Sequence, residues 1–539
     1  MFRSDSAGNW FWHSLAFLAA SIVVFPILII LMQWGTIGTG EQQIWQHLFD
    51  TKLDRLALNT LILIIGVGAG VLILGVSLAW LTTICDFPGR RIFEWALMLP
   101  LAIPGYVMAF VFLGIMNYAG PIQTTLRRSL GDDVWFPDVQ GPLGVILILS
   151  LVLYPYVYML SRSAFLNQGR KMMDAGRLLG LGKFQAFFRL AIPVARPAIV
   201  AGLALALMET LADFGAVSVF NYDTFTTAIY SAWYGLFNLT VAAQLASLLL
   251  LFVGVTLVLE KQSRDRARYV QEGGGSTAQY QLQGTTAVLA TVCCSLVLLV
   301  AFLIPSFQLI VWMLEAGFGE LDDRYLGFLG HTLSLGLMAG ALAVLVSLIL
   351  AFVKRLPAGQ HLRRWTRLSI HLATLGYALP GSVLAVGIMM GFTFVDRTLG
   401  TLLVSSVLAL VVAYCCRFLA VAYAPVESGL GQVRPSIIDA GRSLGAGPGR
   451  LLLTVIVPLL RPGLITAFTI VLVDVMKEMP ATLIMRPFGW DTLAVRIYTM
   501  TAEGQWERAA LPAVTLIIIG LVPVYILIRS ARPTDRPTT

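Results

Sequence analysis

The stretch Asp174 to Phe220, DAGRLLGLGKFQAFFRLAIPVARPAIVAGLALALMETLADFGAVSVF, decides how the chain is read, because it joins a polar loop to an apolar helix carrying two acids. It occurs twice. Residues 439 to 484 read DAGRSLGAGPGRLLLTVIVPLLRPGLITAFTIVLVDVMKEMPATLI. Sliding one copy along the other places Asp174 on Asp439, Gly180 on Gly445, Pro193 on Pro458 and Arg196-Pro197 on Arg461-Pro462. The same slide places Glu209 on Asp474 and Asp213 on Glu478, so a pair of carboxylates recurs at one depth of a repeated element.

Outward from this stretch, the chain is too apolar for a soluble core: of 539 residues, 58% are hydrophobic and 12% charged. Runs of about 20 apolar residues span about 30 Å of hydrocarbon, and twelve such runs are present, six in each half. The expected fold is therefore an all-α polytopic membrane protein of about 12 transmembrane helices. The halves, 1–270 and 271–539, carry loops 174–193 and 439–458 and are joined by the basic, then glycine-rich EKQSRDRARYVQEGGGSTAQYQLQ. Because each half holds an even number of spans and starts on the same side, the repeats are parallel.

Most of the 37 lysines and arginines fall in inside loops if both termini are cytoplasmic. Asp132, Asp133, Asp138, Glu320, Asp322 and Asp323 then lie outside. The net charge of +8 is thus topology and not a nucleic-acid surface. The first apolar run is long and lacks a small-x-small site directly after it, so it is read as an uncleaved span. The five cysteines show no CxxC spacing and are read as small apolar packing residues.

Further pairs support the repeat. The second span, beginning NTLILIIGVGAG, is echoed by HTLSLGLMAGAL from His331, with small residues spaced for close helix approach. Pro104-Gly105 is echoed by Pro380-Gly381, a pair that marks a kink within a span, either beside a cavity or merely tolerated. Tyr154, Tyr156 and Tyr158 are read as an interfacial belt in preference to metal ligands.

Each repeated loop is too long and too patterned to be a plain connector. Asp174 to Phe188 can form a short helix along the membrane face, with prolines opening the next span. The pattern Asp-Ala-Gly, then Gly, then Pro resembles the EAA loop of ATP-binding-cassette importer permeases, whose short coupling helix docks on an ATPase subunit. The resemblance implies ATPase-coupling roles for Asp174, Ala175, Gly176, Gly180 and Pro193, and for Asp439, Ala440, Gly441, Gly445 and Pro458. Both copies depart from the usual opening, with Asp for Glu and Gly for the second Ala.

The chain carries no motor of its own: GLGKFQ at 180–185 lacks the spacing of a phosphate-binding loop. The resemblance therefore implies a non-enzymatic transport subunit of type I importer fold in the bacterial inner membrane. Two cytoplasmic ATPase subunits would hold ATP and Mg, an external solute-binding protein would deliver cargo, and no cofactor would bind this chain.

The carboxylates concern the cargo. Glu209 and Asp213 are four residues apart, hence on one face of the fifth span, and Asp474 and Glu478 repeat that geometry. Acids within a membrane cost a few kcal/mol and usually face a bundle interior or a water-filled path. These four can line a translocation pathway and transiently ligate a hard cation. The alternative is structural pairing, since Lys477 sits beside Glu478. The run METLADFGAVSVFNYDTFTTAIYSAWYG resembles the ferric-iron permease branch, with permeases for thiamine or another cation such as a polyamine as runner-up. A proton-coupled secondary transporter using the same acids is a different class, but it has no need of two docking loops. A membrane enzyme lacks support, since His13, His47, His331, His361 and His371 are scattered.

Overall fold

The computed structural model describes residues 6–35, 38–178, 187–265, 280–317, 321–356 and 359–530, with single positions 185 and 319. Among these, twelve helices are long and apolar enough to cross a membrane. In the first half they are Trp10–Gly35, Leu53–Ile84, Gly105–Leu130, Pro142–Leu166, Phe187–Ala212 and Leu239–Val258. In the second they are Thr285–Ala316, Asp323–Val353, Gly381–Leu399, Val407–Gly431, Pro448–Lys477 and Trp506–Ile526. The chain is a multi-pass, all-α membrane protein.

The helices gather into two compact units whose composition cuts across the sequence repeats. One, the amino-half unit, comprises Gln46–Ala228, Leu248–Glu320 and Ile497–Thr539; the other, the carboxyl-half unit, comprises Met1–Trp45, Ile229–Ser247 and Leu321–Arg496. The first span of each half thus packs with the opposite set: span one with spans eight to eleven, span seven with spans two to five. Glycine makes both contacts possible. A Cβ on Gly387 would lie 2.8 Å from the Pro26 carbonyl oxygen, and one on Gly114 would lie 2.8 Å from Trp312 Cζ2.

Within the amino-half unit, the second span lies against the fourth along one glycine face. A Cβ at Gly66 would stand 2.5 Å from Ile146 Cδ1, and at Gly75 2.6 Å from Val157 Cβ. Lipid tails leave no hydrophobic drive between helices, so such close packing carries the association. Adding a methyl group there costs about 1–3 kcal/mol.

Two expectations are corrected. Pro104 and Pro380 do not kink a span but start one: their extended backbones (ψ 145° and 140°) precede helices beginning at Gly105 and Gly381. A proline nitrogen has no hydrogen to donate, which suits a helix start. Two of the three fourth-span tyrosines are not a belt, while Tyr156 is half-buried. Tyr154 and Tyr158 are fully buried and donate to the carbonyls of Leu97 (2.8 Å) and Glu94 (3.0 Å). Of the cysteines, Cys293 alone is exposed and the other four are buried.

Candidate functional site

The expected coupling loops differ between the two copies. In the second, Pro435–Ser443 is a separate helix. Pro435 disfavours helical backbone at the residue before it, and Arg434 is extended (φ −62°, ψ 134°). In the first copy Arg170 holds the corresponding position, and the helix Pro142–Leu178 runs on through Asp174, Ala175 and Gly176. The expected short surface helix is therefore absent at those three residues, and Gly180 lies outside the described residues.

The second loop shows what its motif residues do. Asp439 is exposed and pairs with Arg442 at 3.6 Å, and Ala440 is also exposed. Gly441 lets the helix settle on the next turn, since a Cβ there would stand 2.7 Å from Leu451 Cδ1. Gly445 adopts φ +78°, while Ala446 N–H donates to the Gly441 carbonyl (3.1 Å) and Gly445 N–H to that of Arg442 (2.9 Å). This is the paired closure of a helix C-terminus that needs a left-handed residue. The turn leaves Leu444, an apolar side chain, 88% exposed at its tip.

After each loop the backbone widens into a π-helical turn, Phe187–Ala191 and Leu452–Ile456, at matching repeat positions. Pro193 and Pro458 follow, each at the second residue of the next helix and exposed. Prolines remove a ladder donor and crowd the preceding turn, which accounts for the widening.

The carboxylates sit where the long helices stop. The helix Ile192–Ala212 ends one residue before Asp213, whose backbone is extended (φ −68°, ψ 125°). The on-face pairing expected for Glu209 and Asp213 therefore does not hold, since only Glu209 is helical, and it is half-buried. Asp213 Oδ1 accepts the N–H groups of Ala216 (2.9 Å) and Val217 (3.1 Å), which satisfies donors of the short helix Gly215–Val219. Its carbonyl accepts Thr226 Oγ1 at 2.8 Å. Asp213 also borders a small space of about 10 Å³, room for about one water.

The other unit repeats the break. Helix Val457–Lys477 stops before Glu478, and Glu478 Oε1 accepts Ala481 N–H at 3.1 Å, opening the helix Pro480–Met485. Glu478 is buried and pairs with Arg417 Nη1 of the tenth span at 3.4 Å. Its partner is therefore this arginine, while Lys477 has Asp474 as its neighbouring carboxylate. Asp474 and Lys477 are half-buried. Tyr234 Oη closes the far end of the short helix by donating to the Leu483 carbonyl at 2.7 Å. Burial pushes the Tyr234 pKa above the ordinary tyrosine value, so it remains a donor at neutral pH.

The Pro-Gly pairs belong to these breaks. A Cβ on Gly105 would stand 3.1 Å from Asp213 Oδ2, and one on Gly381 2.5 Å from Glu478 Oε1. In each unit, glycine at the start of the third helix of the repeat gives the acid its place. Sequence reading missed this contact, and it missed Arg417, whose signal was a lone arginine inside an apolar span.

A cavity of about 620 Å³ lies in the amino-half unit against the short helix that Asp213 caps. Ser218, Tyr498, Tyr118, Arg127 and Trp506 line part of it. Asp213 does not reach it. Among the described residues no three His, Cys, Asp or Glu side chains cluster as a resident metal site.

Comparison with known proteins gives a consistent picture. The model of the family described as binding-protein-dependent transport system inner membrane component matches residues 71–260 and 343–533. The Fe(3+)-transport system permease protein FbpB 2 of Haemophilus influenzae is 25% identical, covering 96% of this chain and 98% of its own length. The sulfate transport system permease protein CysW of Escherichia coli is 31% identical, over 40% of this chain and 72% of its own. The molybdenum transport system permease protein ModB of Escherichia coli is 32% identical, over 30% of this chain and 70% of its own.

Proposed function

Because the chain belongs to the binding-protein-dependent transport system inner membrane components, with the family pattern present twice, we propose that it is a two-half permease of a ferric-iron importer. The observation that carries the cargo is the end-to-end match to a ferric permease of the same fused plan, whereas the sulfate and molybdenum permeases match less than half of the chain. The acids support it chemically. Glu209, Asp213 and Asp474 offer oxygen ligands suited to a hard cation at the two helix breaks, while Glu478 is taken up by Arg417.

In this reading two ATPase subunits, which hold ATP and Mg, dock on the segments around Asp174 and Asp439 at the cytoplasmic face, where both termini also lie. Exposed Leu444 gives the second loop an apolar contact for its partner. An external solute-binding protein delivers iron, and closure of the ATPases moves the two segments so that access to the cargo alternates. Family membership takes the place of the proton-coupled reading of the acids.

The test is uptake of radioiron by vesicles reconstituted with this chain, its ATPase and its solute-binding protein, beside sulfate, molybdate and thiamine. ATP-dependent accumulation of iron alone is expected. Accumulation of an oxyanion or of thiamine, with iron at background, refutes the cargo while leaving the permease assignment intact.

A further inference from the structure

Between the eighth and ninth spans lies the helix Gln360–Thr374, QHLRRWTRLSIHLAT, which contains no acid in its 15 residues. Thr366, Ser369, Ile370 and Ala373 form its buried side, and Thr366 Oγ1 is hydrogen-bonded to the buried His13 Nδ1 at 2.8 Å. The helix is thereby pinned to the start of the first span. Trp12, beside His13, lies 3.9 Å from the Cβ position of Gly449, so this is the end of the unit that carries the Asp439 loop.

The uncovered side is divided. At about 100° per residue, Arg363, Arg364, Arg367 and His371 fall together on one flank, and Trp365 and Leu368 on the other. Trp365 is 58% and Leu368 44% exposed. Arg363 and Arg367 are one turn apart, an arrangement that repels unless an anion stands against it. None of the three arginines is held by an ion pair or hydrogen bond among the described residues.

The first half handles the equivalent elbow differently. In Arg90–Ala96, Arg90 pairs with Glu94 at 3.0 Å and donates to the Thr82 carbonyl at 2.8 Å, while Arg162 adds a second pairing to Glu94 at 3.3 Å. There Arg90 is taken up inside the fold and, of the two arginines, only Arg91 is exposed, whereas Gln360–Thr374 presents three arginines outward.

We propose that Gln360–Thr374 is an interfacial anchor that binds anionic phospholipid. Its tryptophan and leucine enter the boundary of the acyl chains and its arginines take headgroup phosphates. An aromatic at headgroup level beside a basic cluster matches the chemistry of a negatively charged leaflet. The anchor holds the Asp439 end of this unit at the membrane surface, and it does so whatever the cargo. Of surfaces that carry negative charge, a bilayer is the one that also accepts Trp365 and Leu368 beside the ends of spans.

The test uses the purified full-length chain with fluorescent phosphatidylglycerol and, separately, phosphatidylcholine. The wild type is expected to prefer phosphatidylglycerol, with a preference that falls as salt is raised. Replacing Arg363, Arg364 and Arg367 together by Gln should weaken phosphatidylglycerol binding roughly a hundredfold. Replacement of all three by Lys should retain most of it, and melting in phosphatidylcholine should not move. If the triple Gln variant fails to fold, Arg364→Gln alone should lose about fivefold. Unchanged phosphatidylglycerol binding in a folded Gln variant overturns the proposal, and so does lost ATPase assembly with lipid binding intact, which assigns the face to a protein partner.

Discussion

The ion pair of Arg417 with Glu478 offers the sharpest test of how the helix breaks are built. Both side chains are nearly inaccessible, 7% and 5% exposed, and stand 3.4 Å apart. Removing one member of a buried pair leaves an uncompensated charge and costs about 3–5 kcal/mol, whereas replacing both with apolar groups of like volume is often neutral. Arg417→Met leaves Glu478 with the Ala481 N–H among its contacts, so the full loss is expected. Glu478→Gln can still accept that N–H and should sit at the lower end of the range. In the double variant, Arg417→Met with Glu478→Gln, a loss of about 1 kcal/mol is expected, which corresponds to one unmatched hydrogen-bonding group. The amino-half unit provides a natural comparison, since the residue corresponding to Arg417 is Val152 and Asp213 is held by backbone donors. The assay is equilibrium unfolding of the four proteins in mixed micelles, read as a double-mutant cycle. Additivity within about 0.5 kcal/mol, or an Arg417→Met protein as stable as wild type, would refute the argument that the pair is structural.

The remaining predictions follow from the same geometry. Gly445→Ala should cost about 1–2 kcal/mol through its left-handed backbone alone, because its Cβ meets nothing within 4 Å; Gly445→Asn should cost less, and amide exchange of Ala446 reads both. Gly381→Ala places a methyl group against Glu478 and Arg417 and should lower stability by about 1–3 kcal/mol, while Gly254→Ala, in open space, should be neutral by the same unfolding measurement. Asp213→Asn keeps an oxygen to accept the Ala216 and Val217 N–H groups, so with Glu209→Gln it should insert normally yet reduce iron uptake. Wild-type uptake in that double variant removes these acids from the pathway.

Much of the architecture could be read before any coordinates. Twelve apolar runs and the repeat are local properties: hydropathy counts spans, and motif spacing along the chain displays the repeat, whereas the left-handed backbone of Gly445 came only with the structure. The Pro-Gly pairs were legible as irregularities but not as helix starts in contact with an acid, because that contact joins positions about a hundred residues apart. Two of the fourth-span tyrosines were misplaced for a similar reason. A tyrosine near a span end looks the same whether its hydroxyl meets water or a buried carbonyl, and only the neighbouring helix distinguishes them.

By itself the sequence determined the membrane class, the two-fold internal repeat and the family, since each rests on composition, periodicity or motif spacing along the chain. Tertiary structure decided the rest. It assigned the first span of each half to the opposite set of helices, ended the acid-bearing helices at Asp213 and Glu478, and gave Glu478 the arginine of another span as its partner. In lipid, helices meet wherever small residues permit close approach and buried charges find counterions, and those are relations between distant parts of the chain.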